Sequence, residues 1–202
     1  MTILKVSRLE GLSDGIFAIA MTILALDLRL PPHIDSTHLV SVMENVVFFK
    51  LFIYIGSFII LGTLWIAMTF QIGLLQRLNR PYLWTHVLYL MVICVVPFSA
   101  SLVAAYPTNP ASIIFFAINL LCASVAQFII AQCAYYFQLN NELYTPAIRH
   151  AIVKRIYVAP LFYFLSIALA YWHPHLAFLA LIAPILIYIL PGAVDRFDQP
   201  PA

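Results

Sequence analysis

Six apolar runs separated by short polar stretches constrain this 202-residue chain more than any other feature. They cover roughly Leu12–Leu30, Val47–Phe70, Leu83–Tyr106, Ala111–Phe137, Tyr157–Trp172 and Leu176–Leu190. A helix needs about 20 residues to cross a hydrocarbon core ~30 Å thick. Runs two to four meet that length. The last two are shorter and carry Pro160 and Pro184, which leaves a re-entrant hairpin open, although two spans lengthened into polar flanks are preferred. The chain is 64% hydrophobic and 9% charged, whereas soluble domains average roughly 45–50% and about 25%. No compact fold of this size hides that much apolar surface from water. The expected fold class is all-α: a polytopic membrane protein with six transmembrane helices forming one domain over residues 1–202.

Charge and cysteine usage exclude several classes. The net charge of +2 comes with no basic run, so nucleic acid is not a partner on this reading. Cys94, Cys122 and Cys133 lie inside apolar runs with no metal-type spacing, and buried free thiols are expected. Lys5 and Arg8 precede the first run as in a signal peptide, but Asp14 and Asp27 bracket it and no clean cleavage site follows. It reads as a retained helix. Placing both termini in the cytoplasm puts Lys5, Arg8, Arg77, Arg80, Arg149, Lys154, Arg155 and Arg196 inside, against Arg29 and Lys50 outside. That bias satisfies the positive-inside rule for a multi-pass protein of the cell membrane.

The first run, from Gly11 in GLSDGIFAIAMTILALDLRLPP, has an angular pattern. At 100° per residue, Ile16, Ile19, Ile23, Leu26 and Leu30 fall within about 80° of one another and repeat as 3-4-3-4, a heptad seam. Gly11, Gly15, Ala18, Thr22 and Ala25 form a small-residue arc, and Phe17, Met21, Leu24 and Leu28 a third. Close backbone approach at the Gly11–Gly15 pair suggests that the small arc pins the helix to its own subunit, leaving the seam to face copies of itself. Asp14, near the interface, is expected to form a buried polar cluster with Ser13 and Arg8, because intramembrane acids face protein or water. A helix-starting carboxylate is the simpler alternative. Asp27 and Arg29 fall at the outer end, where charge gathers cations or anchors the helix.

Arg8-x-x-x-Leu12-Ser13-Asp14-Gly15 resembles the Arg-x-x-x-Phe-Ser-Asp signature of the transmembrane protein 175 family of potassium channels, with Leu12 in place of the phenylalanine. Trp65 fits the family's tryptophan, followed here by Met68 and Thr69 where histidines are common. YLWTHVLYLMVICVVPFSASL resembles the third span, with Trp84 and Pro97-Phe98 in place and His86 where asparagine is frequent. The resemblance implies a single six-span repeat assembled as a homotetramer, passing potassium ions along a pore lined by the first helix. The architecture it implies is not the pore-loop design of ordinary potassium channels, and no Thr-Val-Gly-Tyr-Gly filter occurs here. By the same resemblance Ile23, Leu26 and Leu30 are the constriction and Ile16 and Ile19 further pore-face candidates. Arg8, Ser13 and Asp14 brace the pore helix, and Asp27 stands at the outer mouth. The partners implied are a second copy of the chain, the bilayer and monovalent cations, with potassium as permeant and no cofactor.

Two other classes compete. A secondary transporter needs midplane polar sites, for which Asn119, Gln127 and Gln132 are the available group; they read better as interhelical glue. A membrane enzyme would need His173 and His175, or His33, Asp35 and His38, as metal ligands. Their spacing matches no catalytic pattern, and no enzyme is expected. An accessory membrane protein stays open.

Overall fold

The computed structural model describes residues 5–29 and 47–189. Among them are six helices: α1 (Val6–Ala25), α2 (Phe48–Gly73), α3 (Arg80–Ala105), α4 (Pro110–Tyr136), α5 (Pro146–Leu169) and α6 (Pro174–Ile189). Helices α2 to α5 are each long and apolar enough to cross a membrane. Helix α6 is shorter, and α1 carries Arg8, Glu10 and Asp14 in its first three turns.

Helix starts are written plainly in the sequence. Asn79, Asn109 and Thr145 each precede a proline in the first turn, and their side chains accept from the N–H groups of Tyr82, Ala111 and Ile148. Such caps satisfy donors that the helix cannot, and proline forfeits a donor with no intrahelical use there. The fifth helix therefore begins at Pro146, eleven residues ahead of the expected Tyr157. Helix α1 also begins early, at Val6 rather than Leu12, and ends at Ala25. Ser13 and Asp14 consequently lie two turns inside it, not at its start.

The helices run up and down. The α2–α3 and α4–α5 connections meet at one end, where Gln76 N–H donates to the Leu139 carbonyl (2.9 Å) and Asn141 N–H to that of Leu74 (2.8 Å). At that end the Arg149 guanidinium stacks 3.6 Å over the Tyr135 ring. At the opposite end Ile113, Ala170 and Ala177 close a small cluster between α4, α5 and α6. Lys5, Arg8, Arg77 and Arg80 share the first end with the basic start of α5, while Arg29 and Lys50 sit at the other.

The main core gathers Phe17 of α1, Leu61, Met68 and Ile72 of α2, and Tyr82, Tyr89 and Ile93 of α3, all essentially without solvent exposure. Helix α3 carries Pro97 in its interior. Here Asn119 of α4 reaches across: its nitrogen donates to the Val92 carbonyl (3.2 Å) and its oxygen accepts from Val96 N–H (3.1 Å). Pro97 removes the N–H that would reach the Ile93 carbonyl, and in the turn before it Asn119 braces α3 through these two backbone groups. Two of the three cysteines correct the expected burial. Cys94 and Cys122 are free but exposed, on the outward faces of α3 and α4.

Candidate functional site

Helix α1 packs on α2 and α3 through Leu9, Ser13, Phe17, Ala20 and Leu24. These recur every three or four residues, which places them on one stripe. That stripe overturns the expected packing by small residues. Gly11, Gly15, Ala18, Thr22 and Ala25 are exposed instead, and a methyl group added at Gly11 or Gly15 would meet no atom within 4 Å. The reason is bulk: Phe17 and Leu24 bury more apolar surface against the bundle than glycine and alanine can.

The aliphatic seam lies about 100° round the helix from the buried stripe. Ile19, Ile23 and Leu26 are 58%, 43% and 56% exposed, so they face away from their own bundle. Ile16, at the seam's edge, is half-buried and packs against the core. Leu30 lies outside the described residues.

Ser13 and Asp14 point to different helices. The Ser13 hydroxyl donates to the Leu9 carbonyl (2.9 Å) and lies 2.7 Å from His86 Nε2 on α3. A hydroxyl has one proton. With that proton on Leu9, Ser13 accepts from His86, which assigns the imidazole proton to Nε2. His86 is fully buried between Tyr82 and Tyr89, and its Nδ1 has no partner among the described residues. Asp14 is exposed, and its Oδ1 accepts from the Trp65 indole N–H of α2 at 2.8 Å. The buried Arg8–Ser13–Asp14 cluster does not form. Arg8 is exposed and its guanidinium bonds to neither residue. The two consecutive polar side chains tie α1 separately to α3 and α2, through His86 and Trp65. Both partners were visible only as signature positions of the third and second spans, because the bonds join residues 73 and 51 apart.

Asp27 lies in the turn beyond α1, its N–H donating to the Leu24 carbonyl (3.4 Å). Partial burial raises its carboxyl pKa above the ordinary value, while the charges of Lys50 and Arg29 pull it down less strongly. Lys50 Nζ also reaches the Arg29 carbonyl at 3.4 Å, so the two cations and the acid share one end of the molecule. His173 and His175 are exposed at the α5–α6 turn. His33, Asp35 and His38 lie outside the described residues, among which no three acidic, histidine or cysteine side chains converge as metal ligands.

Comparisons with known proteins converge on one family. The profile of the endosomal/lysosomal potassium channel TMEM175 matches residues 8–97, the stretch from Arg8 to Pro97. A potassium channel of Chryseobacterium sp. (strain P1-3) is 27% identical over 188 residues, covering 91% of this chain and 92% of that protein. A potassium channel of Chamaesiphon minutus is 30% identical over 108 residues, 52% of this chain and 53% of its own. The fold matches the crystal structure of a lysosomal potassium-selective channel TMEM175 homolog from Chamaesiphon minutus with a TM-score of 0.81. That match is 23% identical and covers 96% of this chain and 98% of that one. The matched stretch contains Arg8, Ser13, Asp14, Trp65 and His86, and with the shared six-helix fold it makes the chain similar to the TMEM175 family of potassium channels.

Proposed function

We propose that the protein is a potassium-permeable cation channel of the cell membrane, assembled as a homotetramer around a pore lined by α1. The observation that carries this reading is the division of α1 into a buried stripe and an exposed aliphatic seam. A helix anchored by Phe17 and Leu24 leaves Ile19, Ile23 and Leu26 exposed among the described residues, and a symmetric assembly brings such seams together about an axis. The names of its relatives supply the ion: potassium is cargo, and transport rather than catalysis is the activity.

In this reading Ile23 forms the narrowest aliphatic ring, with Leu26 and Leu30 further rings and Ile16 and Ile19 extending the pore face. An apolar constriction of this kind gates by dewetting. It separates ions by the cost of stripping their water, a weaker discrimination than a cage of carbonyl oxygens. Ser13 and Asp14 hold the foot of the pore helix through His86 and Trp65; Arg8 completes the motif from the exposed side. The basic end of the bundle faces the cytoplasm, with both termini there, and Asp27 stands at the outer mouth.

The test is single-channel recording of purified protein in planar bilayers, with potassium on one side and sodium on the other. The expected current reverses toward the potassium potential. Ile23→Ala raises conductance, and Ile23→Asn raises it or relaxes selectivity, because either change widens or wets the ring. Currents identical in both variants overturn the assignment of the pore face.

A further inference from the structure

The exposed seam of α1 does not end at Ile16. Leu12 stands seven residues before Ile19 and about 20° round the helix from Ile23, and it is 48% exposed. The apolar face therefore continues by one heptad toward the start of the helix. One turn earlier its chemistry changes. Arg8 shares its angle with Leu26, eighteen residues and so five turns further on, and it is exposed. Lys5, seven residues before Leu12, stands at the N-cap of the same helix and is exposed as well.

The acids of these turns lie elsewhere. Glu10 and Asp14 are at least about 120° round the helix from Arg8. Glu10 is half-buried, and Asp14 is held by the Trp65 indole. Among the described residues, the seam side of α1 thus carries cations alone at this end. Arg8 is fifteen residues, or about 22 Å, from Ile23. The Debye length is about 10 Å in 0.1 M salt and about 3 Å in 1 M. A charge at Arg8 consequently acts on ions gathering at the mouth and not on the loss of their water at the aliphatic rings.

We propose that Arg8, with Lys5 beside it, sets how fast potassium enters the pore from the basic end of the molecule. This role rests on the reading that the seam of α1 lines a pore. Each copy then brings two positive charges to the rim of one mouth, where their summed field lowers the local concentration of cations. At equal and opposite voltages, potassium entering at that mouth carries less current than potassium leaving by it. Added salt screens the charges and removes the difference. Selectivity, fixed at the aliphatic rings, does not depend on Arg8.

Single-channel recording of the purified assembly in symmetric potassium chloride tests this, at 0.1 M and at 1 M. The two directions of current differ by about twofold or more at 0.1 M and converge at 1 M. Arg8→Gln removes much of the asymmetry, Lys5→Gln in the same chain removes the rest, and Arg8→Lys, which keeps the charge, keeps it. In Arg8→Cys channels a membrane-impermeant methanethiosulfonate bearing a sulfonate reacts from one side only. It raises the current entering from that side and leaves Arg8→Gln channels unchanged. The reversal potential between potassium and sodium is the same in all these variants. Asymmetry that persists in Arg8→Gln, while Ile23→Ala still alters conductance, overturns the role of Arg8 and leaves the pore standing. A shifted reversal potential in Arg8→Gln overturns the separation of mouth from constriction. Absence of potassium current, or current indifferent to both Ile23→Ala and Arg8→Gln, overturns the pore face and this role with it.

Discussion

Ser13 and His86 form a pair in which each satisfies what the other lacks. His86 is fully buried with Nδ1 unpartnered, so removing Ser13 Oγ would leave the whole imidazole unsatisfied. Ser13→Ala is expected to cost about 1–3 kcal/mol of stability. His86→Ala should cost as much or more, because it also opens a cavity. The double variant should fall well short of the sum, as partners in one interaction do, and thermal unfolding in detergent reads all three. His86→Asn, which restores an amide donor, should lose least. Additive losses would place the two residues in separate interactions. The sequence displayed Ser13 and Asp14 as polar groups in a greasy helix but concealed where they point. Adjacent residues on a helix diverge by 100°, so a serine seated against α3 sends its aspartate neighbour toward α2.

At the scale of the helix, α1 shows which kinds of pattern reading succeed. The aliphatic seam was legible, because a 3-4-3-4 repeat survives whatever the helix packs against. The anchoring face was not: small residues signal that a backbone approaches closely but do not say which backbone. With Gly11 and Gly15 open on the face away from the bundle, close approach falls to another chain in the proposed assembly. Gly15→Leu should then leave the isolated chain as stable or somewhat more so, since glycine costs a helix up to about 1 kcal/mol, yet weaken the oligomer. Light scattering on the purified variant checks this; an unchanged particle mass would return the small face to lipid. The early start of α5 was legible in principle. Thr145-Pro146 is a helix-opening pair, and hydropathy hid it because the first turns carry Arg149, His150, Lys154 and Arg155.

For the molecule as a whole, charge segregation made the up-and-down order of the helices readable before any contact was known. Arg29 and Lys50 stand at the end opposite the other described cations, and Asp27 shares that end with them. If that end is the pore's outer mouth, Asp27 carries a cation-attracting charge there. Its carboxyl is raised by partial burial, so it takes up a proton at higher pH than an ordinary carboxylate. Acidifying the outer solution should therefore reduce potassium current, and Asp27→Asn should lower the current at neutral pH and remove this component of its pH dependence. The sign for stability is opposite. A raised acid is more easily protonated in the folded state, so acidification through this group favours the fold. Current should decline while circular dichroism stays constant. A decline that tracks unfolding would point elsewhere.

The contact of Asn119 with α3 has a temporal consequence. Asn119 lies fourteen residues beyond the end of α3 at Ala105, so the ribosome completes α3 before it delivers the amide. Until then the turn before Pro97 stands without this brace, in a stretch where proline has already removed one backbone donor. The third helix reaches its final packing only when the fourth settles against it.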